Sequence, residues 1–122
     1  MRGRVLMPGP GLQAGLRPGL PRREWDMPKA YWIVHLSVHD AEAYKPYVAA
    51  APEALAAYGG RYIARAGASE TVEGDMPHSR HVLIEFPSLA DAQAAYRSDA
   101  YQAVIGIRHA HSDGTLTIVE GV

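Results

Sequence analysis

Apolar and polar residues alternate from Ala30 to Val38. Trp32, Val34, Leu36 and Val38 fall on one side, and Tyr31, Ile33, His35 and Ser37 on the other. A period of two in aromatic and β-branched residues predicts a strand. From Asp40, a good N-cap, the pattern turns alanine-rich and helical over roughly 41–57. Pro46 and Pro52 interrupt it, each lacking an N–H and crowding the turn before it, so a broken or kinked helix is expected. Gly59-Gly60 ends it. A second strand is predicted over 61–66, with Gly67 as a bulge, 70–73 as its continuation and 74–79 as a turn. In the third strand, Arg80 to Phe86, Val82, Ile84 and Phe86 alternate with His81, Leu83 and Glu85. Ser88-Leu-Ala-Asp91 has the form of a capping box with Asp in the Glu position. It opens a helix whose Leu89, Ala92 and Tyr96 share a face. Ser98 caps a further short helix with Tyr101, Val104, Ile105 and Arg108 on related turns. Gly114 is a turn, and 115–120 is the last strand.

The order β-α-β-β-α-β predicts an α+β, ferredoxin-like βαββαβ domain over 28–122. It would be a four-stranded antiparallel sheet with helices on one face. If Trp32, Val34, Leu36, Val82, Ile84 and Phe86 meet the helices, the open face carries Tyr31, Ile33, His35, Ile63, Leu83 and Val119. Such a face is too apolar to stay wet comfortably. A two-fold homodimer is the simplest cover.

Composition narrows the function. Hydrophobic residues make up 48% and charged ones 20% of 122 residues, enough for one modest core. A net charge of −1 argues against a nucleic-acid partner, which needs a basic face, and gives no reason to expect a membrane surface. With no Cys, thiolate catalysis, thiolate metal sites and disulfides are excluded in this chain. No apolar stretch approaches the roughly 20 residues of a membrane span. A cytoplasmic protein is expected. Residues 1–26 hold five of twelve Gly, four of nine Pro, and five Arg against Glu24 and Asp26. Neither periodicity is present there, so 1–27 reads as a disordered extension. Val5-Leu6-Met7 is too short for the core of a signal peptide. The native product is expected to begin at Met27, just before the first strand.

Several segments, in order, resemble the domain-of-unknown-function family 1330. They are Ala30-Tyr-Trp-Ile-Val-His35, Tyr44-Lys-Pro-Tyr47, Tyr58-Gly-Gly-Arg-Tyr62, Arg80-His-Val-Leu-Ile-Glu-Phe-Pro-Ser88, Tyr96-Arg-Ser98, Tyr101 and Val119-Glu-Gly121. The resemblance covers essentially all of 28–122. It implies a dimeric α+β barrel in which two ferredoxin-like sheets face each other, and it brings no activity. Two positions depart from the usual pattern. Arg65-Ala66-Gly67 stands where Arg-Gly-Gly is common, and Ala95-Tyr96 where Trp-Tyr is common.

Polar residues inside apolar strands are the first candidates for chemistry. His35 and Glu85 share a face by alternation, and Arg65 is expected to join them. Arg is a bidentate anchor for a carboxylate, and a buried His or Glu can move a proton. The competing reading is a satisfied polar network across a dimer interface. Tyr31, Tyr44, Tyr47, Tyr96 and Tyr101 are either hydroxyls for a cavity or ordinary core rings with wet edges. Arg108 either binds an anion or complements a helix dipole. His109-Ala-His111 with Asp113, and His78 with His81, lack the converging set a metal needs, and no metal or cofactor is expected. No phosphate-loop pattern occurs, and the consecutive His111-Ser112-Asp113 cannot form a triad. Dimeric α+β barrels in general include cofactor-free enzymes. By that analogy the expected function is an enzyme or binder for a small organic acid or phenol. Arg65, Tyr101 and Arg108 would hold the ligand and His35 or Glu85 would move the proton. The alternative is a non-catalytic structural or ligand-sensing dimer.

Overall fold

The computed structural model describes residues 27–122. The extension expected before Met27 lies outside the described residues. Seven elements follow in order: β1 (Ala30–Val38), α1 (Ala41–Ala56), β2 (Arg61–Arg65), β3 (Arg80–Phe86), α2 (Leu89–Arg97), α3 (Asp99–His111) and β4 (Ser112–Glu120). The strands form one sheet in the order β2-β3-β1-β4. All three pairings are antiparallel. This is the ferredoxin-like α+β arrangement. No described helix is long and apolar enough to cross a membrane.

The strict alternation of β1 and β3 becomes their burial. Ala30, Trp32, Val34 and Leu36 pack with Val82, Ile84 and Phe86 beneath the helices. Tyr44, Ala51 and Leu55 of α1, Ala92 and Ala95 of α2, and Tyr101 and Ile105 of α3 close the core from the other side. Trp32 anchors it. Its ring lies 5.3 Å from Phe86 and 5.1 Å from Tyr101, and its indole N–H donates to the Ala92 carbonyl at 2.9 Å. Burial of an aromatic side chain this large needs such a partner for its one polar atom. Ser98 joins α2 to α3 by serving both. Its hydroxyl donates to Ala95 and accepts from the Tyr101 N–H.

Four local expectations are corrected. First, α1 runs unbroken through Pro46 and Pro52. Pro52 cannot donate to the Val48 carbonyl one turn back, but the Arg65 guanidinium does so at 3.0 Å. A strand residue thus repairs the helix. Second, the irregularity in β2 sits at Ile63 rather than Gly67: Tyr62 pairs with Ile84, but Ala64 pairs with Leu83. Third, residues 70–73 do not extend β2. Their would-be partners precede β3, where Pro77 has no N–H to give. Fourth, Gly114 lies inside β4, opposite Leu36, rather than in a turn. A Cβ there would collide with the His35 carbonyl oxygen, so close approach of the two strands requires glycine. Ala66 follows β2 in the left-handed region, with φ 56. Its N–H donates to the His81 carbonyl at 2.8 Å. This conformation accounts for the glycine common at that position.

Candidate functional site

The sheet separates two sets of polar residues. The open face holds Tyr31, Ile33 and His35 of β1 beside Glu85, Leu83 and His81 of β3. His35 Nδ1 and His81 Nδ1 lie 2.8 Å apart, so one ring donates and the other accepts a single shared proton. Burial holds His35 below the ordinary histidine value, and His81 and His78 lower it further. His78 Nδ1 is 2.9 Å from the Ser37 hydroxyl. Glu85 is held at both oxygens. Arg61 donates to Oε1 at 2.8 Å and the Tyr31 hydroxyl to Oε2 at 3.2 Å. The Arg61 hydrogen bond is the main reason its carboxyl sits below the usual range. Glu85 is therefore an ionised anchor and a weak base. It pairs across from Tyr31 and His81 from His35, four residues further along β1, about 13 Å at strand spacing. His35 and Glu85 do not converge on one atom. No group of three His, Cys, Asp or Glu among the described residues could hold a metal ion.

Arg65 does not join this face. Continued alternation from Arg61 would bring it there. The extra residue at Ile63 reverses the parity, so Arg65 pairs with Val82 on the helix side. Its guanidinium lies 4.7 Å from the centre of the Tyr62 ring.

The helix side carries the other candidates. The Tyr47 and Tyr101 hydroxyls are 2.5 Å apart. Tyr44 packs on Tyr47 with ring centres 5.2 Å apart, and Tyr96 on Tyr101 at 5.7 Å. Burial raises the Tyr47 phenol far above its usual value and pushes Tyr62 up to about 12. At neutral pH these groups are hydrogen-bonding phenols, not phenolates. Arg108, from the last turn of α3, is only 6% exposed, and its Nε has no hydrogen-bond partner. Burial works to lower its pKa, but the neighbouring Tyr101 and Tyr47 raise it by more. The three ion pairs among the described residues are His39–Asp113, Lys45–Glu42 and Arg61–Glu85. None of them neutralises Arg65, Arg80 or Arg108.

Two cavities lie on this side. A groove of about 480 Å³ runs between β4 and the α2–α3 corner, lined by Tyr96, Arg97, Arg108, His109, Leu116 and Ile118. Asp113 also borders it and is engaged with His39 at 2.8 Å. An inner cavity of about 30 Å³ lies between sheet and α1, with Arg65, Arg80, Tyr44, Tyr47 and Tyr62 in its wall. Tyr101 and Arg108 are thus neighbours, Arg65 contributes to the inner cavity while remaining exposed, and His35 and Glu85 lie beyond the sheet. Sequence reasoning passed over Arg80 and Arg97. Arg80 carried a signal: two residues before Val82, it is a charge at core parity. Arg97, at the exposed end of α2, carried none.

Comparison with solved structures gives the same fold at low identity. A protein of unknown function from Rhodopseudomonas palustris, RPA0582, is 17% identical, with a TM-score of 0.65 over 78% of this chain and 83% of that one. SnoaB, a cofactor-independent oxygenase from Streptomyces nogalater, is 11% identical, with a TM-score of 0.56 over 78% of this chain and 94% of that one. No curated protein matches the chain. The family described as Domain of unknown function (DUF1330) matches residues 29–122, which hold all seven elements, and the chain belongs to that family.

Proposed function

We propose that this protein binds a small organic acid or phenol on the helix side of its sheet. Arg108 would hold the anionic oxygen and Tyr96 would border the ring or chain, with the buried Tyr101 behind Arg108. One observation supports this above the rest. Arg108 is buried with its Nε unpartnered and no carboxylate paired to it, beside a groove of about 480 Å³. A buried cation is normally paired, because desolvation costs several kcal/mol per ion. A ligand anion is the natural missing partner, and Leu116 and Ile118 supply apolar contact for its body. A cofactor-free reaction on such an anion fits the same site, as the fold also serves the cofactor-independent oxygenase SnoaB.

The protein would act in the cytoplasm as a homodimer closed over the open faces. The partly exposed Ile33 and Leu83, with Val119 at 42% and Ile63 at 45% exposure, favour that contact. His35, His81 and Glu85 would then serve the interface rather than the ligand. Light scattering at micromolar concentration tests the dimer, and a monomer there refutes it.

The ligand test is a thermal-shift screen of the full chain against phenols and carboxylic acids of four or more carbons, too large for the inner cavity. A bound ligand raises the melting temperature by mass action. Hits should shift the wild type and leave folded Arg108→Gln unmoved. A screen without hits, or hits that shift both proteins equally, would overturn the groove as the site.

A further inference from the structure

We propose that the inner cavity is a separate binding site for one compact, singly charged anion, a halide or the carboxylate group of a one- or two-carbon acid. The site does not depend on the Arg108 groove, since Arg108 is not in its wall.

Charge is the first reason. Arg65 and Arg80 both line the cavity, and its wall contains no Asp or Glu. Neither arginine belongs to an ion pair among the described residues. Arg80 leaves its Nε buried and without a partner. Two guanidinium groups in one wall with no acid beside them leave a place for a counter-charge. An anion there would give the Arg80 Nε–H a partner and supply the missing counter-charge.

Geometry is the second reason. Arg65 lies over the Tyr62 ring at 4.7 Å and Arg80 over the Tyr44 ring at 5.7 Å, which fixes both guanidinium positions. Arg65 also spends an N–H on the Val48 carbonyl that Pro52 cannot serve, so α1 holds it in place. Tyr44 and Tyr62 keep their phenolic protons, because burial raises both. The wall therefore offers fixed donors. A water molecule would satisfy some of them and could donate to a phenol oxygen, but it brings no charge to set against the two arginines.

Size decides the class. About 30 Å³ accommodates roughly one or two water-sized atoms. Chloride, bromide or the two oxygens of formate fit. Sulfate, phosphate and gluconate are too large.

The test uses the full chain at constant ionic strength, exchanging sodium gluconate for sodium bromide or sodium formate. Bromide or formate should raise the melting temperature saturably, by roughly 5–10 °C at ten times the dissociation constant. Bromide alone would mark a halide site, formate alone a carboxylate site, and both a site for either. Arg65→Gln and Arg80→Gln should each lose the response, and Arg108→Gln should keep it. Should either cavity variant fail to fold, a wild-type crystal soaked in bromide decides: an anomalous peak inside the cavity supports the site. No response to either anion, an unsaturating response shared by all variants, or water in place of the peak would overturn it.

Discussion

Replacing Arg108 with Met separates a ligand anchor from a structural arginine. The side chain is 6% exposed, has an orphaned Nε, and faces phenols where a stabilising pair would have a carboxylate. Holding an ion there costs several kcal/mol. Tyr47 keeps its proton at neutral pH and offers no full charge, so the hydrogen bond to the Tyr101 oxygen returns only part of it, about 1.5–3 kcal/mol for a charge-assisted bond. Met keeps the unbranched stem and fills similar space without charge. Arg108→Met should therefore stabilise the apo protein by about 1–3 kcal/mol, or roughly 5–20 °C in a domain of this size. It should also abolish the ligand response. Arg108→Lys keeps the charge and loses the fork, so its stability should stay near wild type and binding should weaken. Denaturant melts of the three proteins, with and without a screened acid, supply all the numbers. A Met variant that is less stable than wild type and still binds would refute the reasoning, because Arg108 would then be a structural residue.

Four further outcomes are expected. Tyr47→Phe orphans the buried Tyr101 hydroxyl and should cost about 1–2 kcal/mol in a denaturant melt. Adding Tyr101→Phe should cost less than the two single changes summed, since no hydroxyl is then left without a partner. Ala66→Gly relieves a left-handed φ of 56 and should stabilise by roughly 0.5–1 kcal/mol after the entropy of glycine is counted, again by melt. Gly114→Ala forces β4 away from the His35 carbonyl and should cost roughly 2–4 kcal/mol. His35 is held below its ordinary value, so the unfolded chain binds its proton more tightly than the folded one. Stability should therefore fall as pH drops through about 6.5 and level off below the folded value. His35→Gln should flatten that part of the curve, and an unchanged pH slope in the variant would contradict the role given to the shared proton.

How much of this was legible in the sequence depends on the range of each interaction. β1 and β3 were readable because one face of each is wholly buried, so every second letter reports the same environment. The caps at Asp40, Ser88 and Ser98 were readable because their partners lie three residues away. The bulge at Ile63 was not legible, since the five residues Arg61 to Arg65 are too few to establish an alternation that a bulge would break, and only pairing with β3 reveals the slip. That slip moved Arg65 to the other face and divided the expected site. The intact α1 was equally illegible. Two prolines argue locally for a break, and the donor that repairs the second comes from β2. Arg108 and Tyr101 were visible as candidates. The absence of an acid beside Arg108 is a fact about the packing of α3 against the sheet.

The most direct test of anion binding at Arg108 is a nitrogen-15 spectrum of the arginine side chains during titration with an acid from the screen. The Nε–H signal missing from Arg108→Lys identifies Arg108 in the wild type. A large, saturating shift of that signal, at concentrations matching the thermal response, is the predicted result. A ligand that stabilises the protein while the Arg108 signal stays still would contradict the proposed site.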